Sequence, residues 1–150
     1  MEKPRIYIDT SVVGGCFDEA FAKESLALMQ AARGGRIVLL ASDLLATELA
    51  PGPPALQDLL RHLPEGASEK VPLTPESLRL RDSYLRARVV GPACANDALH
   101  IALATVNRAD LVVSWNFKHI VHWDKIRKFN EVNRAEGYPP IDIRSPQEVI

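Results

Sequence analysis

Asp9, Glu48 and Asp97 are three acids at places where folding alone does not require a carboxylate. Asp9 directly follows the β-rich run Arg5-Ile6-Tyr7-Ile8. Thr10 and Ser11 come next, with hydroxyls able to orient a carboxylate or a metal-bound water. Glu48 closes a short segment otherwise built from Leu44, Leu45, Ala46 and Leu49, and Asp97 opens the most apolar helical stretch of the chain. Singly, each acid has a plain structural role: Asp9 starts a turn, Glu48 is solvated, and Asp97 complements a helix dipole. Jointly they describe a different chemistry. Converging carboxylates repel one another and rise in pKa unless a cation sits among them. Mg²⁺ and Mn²⁺ take oxygen ligands and keep several waters, so a few carboxylates suffice to hold one. Such a site activates water and stabilises a phosphoryl transition state.

The elements that must position these acids alternate between strand and helix. After the first strand, a helix is expected from Asp18 to Arg33, ended by Gly34-Gly35. Ile37 to Leu40 is an apolar run fit for a strand covered on both faces. Ser42 caps a short helix that Pro51-Gly52-Pro53-Pro54 cannot continue. A helix over Ala55 to Leu63 follows, then an unassigned segment around Lys70 to Leu73. Thr74 is the cap and Pro75 the first residue of the next helix, which Gly91-Pro92 follows as a break. Asn96 is expected to cap a helix from Asp97 to Arg108. The strand Leu111-Val112-Val113, a helix over Trp123 to Ala135 and a last strand, Ile141 to Ile143, complete the series. This alternation predicts a three-layer α/β/α fold, with a central, mainly parallel sheet, as a single domain over residues 1–150. In such sheets ligands bind beyond the carboxyl ends of the strands, where the strand order reverses.

Composition narrows the function further. Apolar residues make up 47% of the 150 and charged residues 25%, which places the chain among globular proteins rather than disordered ones. No apolar run reaches the length of a membrane span and no secretory leader is evident, so a cytoplasmic protein is expected. Cys16 and Cys94 are then expected to be reduced and structural, and two cysteines are too few for a paired-cysteine zinc site. Net charge is −1, so contact with nucleic acid must come from a metal or from local basic clusters. Lys118, Lys125, Arg127 and Lys128, with Trp115, Phe117 and Trp123, form the best such cluster. It reads either as an RNA-facing rim or as a solvated helix face with aromatics in the core. Arg79, Arg81, Arg86 and Arg88 read as a solvated or partner-facing surface. His100 follows Asp97 by one helical turn, where it contacts a phosphate or packs in the core. His119 and His122 have a spacing that hints at a transition metal without a supporting motif.

Ile6-Tyr7-Ile8-Asp9-Thr10-Ser11-Val12 resembles the opening of PIN-domain nucleases, a strand followed by Asp-Thr-Ser. Glu48, after Ser42-Asp43-Leu44-Leu45-Ala46-Thr47, is similar to their second acid. Asn96-Asp97-Ala98-Leu99-His100 and the apolar residues after it look like their third-acid motif. Leu111 to Ile120 resembles the segment that carries a Ser or Thr and then an Asp or Asn, represented here by Ser114 and Asn116. The resemblance implies metal-dependent hydrolysis of RNA phosphodiester bonds with Mg²⁺ or Mn²⁺ as cofactor. It implies Asp9, Glu48 and Asp97 as metal ligands and, with Asn116, as the catalytic set. Thr10, Ser11, Ser114, Lys118 and His100 are the expected substrate contacts. Many bacterial members are VapC-like toxins neutralised by a small antitoxin protein, so an antitoxin partner and a homodimer are implied as well. The chain departs from the pattern at Asn116, where an acid is common. That departure keeps open a second reading, a weak or inactive PIN fold that binds RNA or protein without cutting. Phosphoryl transfer of the haloacid-dehalogenase kind also uses an Asp after a strand, but it needs a further Asp where Ser11 stands.

Overall fold

The computed structural model describes residues 2–149. Five strands form one parallel sheet in the order β3-β2-β1-β4-β5: β1 (Arg5–Ile8), β2 (Val38–Ser42), β3 (Ser68–Val71), β4 (Leu111–Val113) and β5 (Asp142–Arg144). The chain steps outward from β1 to β3, then crosses back to lay β4 on the other side of β1. The order therefore reverses at β1 and β4, whose carboxyl ends lead into Asp9 and Ser114.

Strand alternation sorts the side chains onto two faces. Tyr7 is in register with Leu40 on one side and Val112 on the other, and Val112 with Ile143. These four belong to one core, shared with α5 (Pro75–Arg86), α6 (Ala95–Val106) and α7 (Trp123–Ala135). Ile6, Ile8, Leu39 and Val113 point the other way, into a second core with α1 (Thr10–Gly15), α2 (Ala22–Arg33), α3 (Asp43–Leu49) and α4 (Pro54–Arg61). The result is the three-layer α/β/α arrangement expected from the alternating pattern.

Local chemistry accounts for most boundaries. Ser42 accepts the Leu45 N–H at 3.1 Å and so caps α3. Thr74 caps α5, with Pro75 at the first helical position and Ser77 completing a reciprocal capping pair. Gly35 takes φ of 75° just after α2, a conformation that only glycine adopts at low cost. Four expectations need correction. The helix expected from Asp18 starts at Ala22, because Asp18 holds a turn by accepting the Ala20 N–H. Residues 10–15, left without an element by the sequence pattern, form α1. Asn96 is not the cap of α6, which begins at Ala95 after a 3₁₀ turn and has Cys94 in the cap position. The unassigned segment at Lys70 belongs to β3, an edge strand exposed at Ser68, Glu69 and Lys70. Its charges suit an edge, where they discourage pairing with another chain, and Glu69 binds Arg5 on β1's side of the sheet at 2.8 Å. Among the described residues no helix is long and apolar enough to cross a membrane.

Candidate active site

Asp9 follows β1 at the reversal of strand order and is 4% exposed. Burying a carboxylate costs several kcal/mol unless it is hydrogen-bonded or paired. Two hydroxyls meet that need. Ser11 donates to Oδ1 and Ser114 to Oδ2, each at 2.6 Å. Both serines are themselves anchored by the turn after β4, because Ser11 Oγ accepts the Trp115 N–H and Ser114 Oγ the Asn116 N–H, each at 2.9 Å. The carboxylate is thus aimed by backbone groups acting through two side chains.

Glu48 reaches the same region from α3. Its Oε1 accepts the Thr10 hydroxyl at 2.5 Å and the Nε2 proton of His100 at 2.6 Å. His100 is buried on α6, and its Nδ1 lies 2.6 Å from the Tyr7 hydroxyl, which in turn lies 2.8 Å from Ser42 Oγ. Every donor in this chain finds an acceptor with a proton on His100 Nε2 facing Glu48 and Nδ1 accepting from Tyr7. Leu45 N–H then donates to Ser42, Ser42 to Tyr7, Tyr7 to His100 and His100 to Glu48. Burial pushes the Glu48 carboxyl up, but the bonds from His100 and Thr10 outweigh it and hold its pKa below the ordinary value. Burial, helped by the charges of Asp9 and Glu48 and opposed by the Ser42 bond, raises the Tyr7 hydroxyl far above its usual range, so it stays protonated and able to donate.

Asp97 stands in the first turn of α6. Burial raises its pKa, the charge of Asp9 raises it further, and His119, His100 and the Asn116 amide act in the opposite sense. Asn116 Oδ1 is taken by the backbone N–H groups of His119 (2.9 Å) and Lys118 (3.2 Å). Only the NH₂ end of Asn116 is left to face Asp97.

The structure redistributes the expected roles. Thr10, Ser11 and Ser114 lie at the carboxylates as expected, but their hydroxyls are donated to Asp9 and Glu48. Both ring nitrogens of His100 are taken inside the fold, so the expected phosphate contact gives way to a buried bond with Glu48. Lys118 is exposed beside the site. The basic-aromatic rim is largely dismantled. Trp115 is 6% exposed, packs on Phe21 and donates to Ser25, while Lys125 binds the Val89 carbonyl. Arg127 and Lys128 pair with Asp124 on α7. Phe117 and Trp123 remain exposed, the latter under the Arg127 guanidinium. Tyr7 and Ser42 were missed as site residues, because an alternating strand gives no sign that one buried hydroxyl will serve a distant histidine.

Asp9 is close enough to disfavour the charge on Asp97, and oxygen donors of this kind suit a hard divalent cation. The trio of ligand atoms found within 4.8 Å of one another among the described residues is Cys94, Asp97 and His119. No protein-family model matches the sequence, and no curated protein does. Among solved structures, a chain of the crystal structure of VapBC2 from Rickettsia felis bound to a DNA fragment from their promoter is similar. The TM-score is 0.58 over 94% of this chain and 98% of that chain, at 14% identity. Identity that low speaks to architecture rather than activity, and the architecture is a PIN-like α/β fold.

Proposed function

We propose that this chain is a divalent-metal-dependent endoribonuclease, a hydrolase of RNA phosphodiester bonds with Mg²⁺ or Mn²⁺ as its cofactor. The observation that carries the reading is the setting of Asp9 at the reversal of strand order: Ser11 and Ser114 donate to it, its neighbour Thr10 donates to Glu48, and its charge reaches Asp97. Asp9 and Asp97 are the residues that would hold the ion, with Glu48 beside them. When bound, the ion supplies an activated water and offsets charge at the phosphate. The chain's own residues do the rest. Ser11 and Ser114 fix the plane of Asp9, Thr10 and His100 fix Glu48 in its charged form, and the Asn116 NH₂ group favours the charged form of Asp97. Lys118, exposed, would meet the RNA backbone.

The partners follow the same reading. One similar solved structure is of VapBC2 bound to DNA, which supports a small antitoxin-like protein as partner. A homodimer as the working form and the cytoplasm as the compartment are our reading from the sequence and its resemblance to toxin nucleases. A strictly monomeric species by light scattering across micromolar concentrations would remove the dimer. Asn116, neutral where an acid is common, favours the second reading of a weakly active or inactive RNA-binding or protein-binding PIN fold.

Metal linkage tests the site without relying on turnover. A ligand that binds only the folded state stabilises it by about 2.7 kcal/mol at a hundred times its Kd, a rise on the order of 5–10 °C in Tm for this chain length. Mn²⁺ should raise the Tm of the parent by this order, and the double variant Asp9→Asn/Asp97→Asn should lose the response. A double variant that gains as much from Mn²⁺ as the parent would place the ion elsewhere.

A further inference from the structure

Cys94, Asp97 and His119 form a cluster that the proposed ribonuclease chemistry does not use as a unit. Cys94 Sγ, an Asp97 carboxylate oxygen and a His119 ring nitrogen all lie within 4.8 Å of one another. Among the described residues this is the group of three His, Cys, Asp or Glu side chains so arranged. His119 is therefore matched with Cys94 and Asp97, not with His122 as its spacing in sequence hinted.

The backbone explains the convergence. Cys94 occupies the cap position of α6 and Asp97 its first turn, so the Cys-x-x-Asp spacing puts both on one side of the helix start. His119 comes from the turn after β4, where Asn116 Oδ1 holds its N–H at 2.9 Å. All three side chains are half-buried, neither sealed in the core nor loose in solvent. Tetrahedral zinc sits about 2.3 Å from sulfur and about 2.0–2.2 Å from nitrogen and oxygen. Its ligand atoms are then about 3.3–3.8 Å apart, so side-chain rotations closing at most about 1.5 Å complete the geometry.

We propose that Cys94, Asp97 and His119 bind a zinc ion, leaving the fourth position for water or a phosphate oxygen. The donor set selects the metal. A thiolate and an imidazole suit Zn²⁺ and disfavour Mg²⁺, whose ligands are hard oxygens. Binding releases the thiol proton. Cys16, buried in the other core with its thiol pushed up to about 11, offers no competing thiolate at neutral pH. A consequence for catalysis rests on the proposed carboxylate site: Asp97 cannot serve both ions fully, so zinc here opposes Mn²⁺.

Cobalt(II) is the probe, because a cobalt–thiolate bond gives a near-ultraviolet charge-transfer band that oxygen ligands do not. One equivalent of Co²⁺ added to the reduced full chain should produce the band, and Zn²⁺ should abolish it. Cys94→Ser and Cys94→Ala should lack it, and His119→Ala should weaken Co²⁺ binding about tenfold or more. Asp9→Asn should keep it. No band in the parent, or a band unchanged in both Cys94 variants, overturns the zinc site. A band in a parent whose Tm ignores Mn²⁺ supports the zinc site and contradicts the carboxylate reading alone.

Discussion

Asp97→Ala is expected to lower cleavage of a labelled RNA at saturating Mn²⁺ by on the order of a hundredfold or more, and Asn116→Ala by about tenfold. The gap follows from what each side chain offers. Asp97 brings a carboxylate whose charged form is disfavoured by burial and by Asp9, a state that a bound cation relieves. Asn116 cannot act as a ligand through oxygen while Oδ1 accepts the N–H groups of Lys118 and His119. Its NH₂ end influences the site through Asp97, about 1.4 kcal/mol of transition-state stabilisation for a tenfold loss. The sequence motif alone left Asn116 free to accept and donate at once, and the turn it holds removes the first of these. Equal losses in the two variants, both folded by circular dichroism, would make Asn116 a direct participant and contradict this division of roles.

The largest expected effect on stability lies under the same turn. In Gly15→Ala the new Cβ would stand 2.6 Å from Ser25 Oγ and 2.8 Å from Trp115 Nε1, where those atoms are hydrogen-bonded to each other. Ser25 and Trp115 are buried, and the indole is rigid, so the clash must be relieved by parting α1 from α2. Overpacking of this kind costs about 1–3 kcal/mol, a fall in Tm of roughly 3–10 °C. Gly14 is the control. A Cβ there meets nothing within 4 Å, so Gly14→Ala should be neutral or stabilising by about 0.4–1 kcal/mol. The Trp115 N–H also holds Ser11, so Gly15→Ala should disturb Asp9 as well as melting early. Matching Tm values for the two alanine variants would contradict the packing described for α1.

Elements defined by strong local chemistry could be read before the fold was known. The Ser42 cap, the Thr74-Pro75 start and the apolar runs of β1 and β4 each carry their own signal. β3 carries none, because Ser68, Glu69 and Lys70 line an exposed edge where apolar residues are not required. α1 was missed because six residues with two glycines and two valines show no helical period, and its burial comes from α2 and α3. Asp9 follows a strand end, where topology puts ligands, and Thr10 beside it reaches Glu48 on α3 while the Asp9 charge reaches Asp97 on α6. Side-chain roles were harder to read. Whether His100 faces phosphate or Glu48, and whether Trp115 stacks on a base or on Phe21, depends on which neighbours the crossover brings. Cys94 and His119 carry no pairing signal in sequence, since only the approach of the turn after β4 to the start of α6 joins them.

Labelled RNA incubated with the reduced protein in Mn²⁺, and in parallel with a chelator, tests the central claim most directly, with Asp9→Asn run beside the parent. The account predicts cleavage by the parent in Mn²⁺, none in chelator, and a loss on the order of a hundredfold or more in Asp9→Asn. Undiminished cleavage in chelator, equal cleavage by Asp9→Asn, or no cleavage by the parent in Mn²⁺ would contradict it.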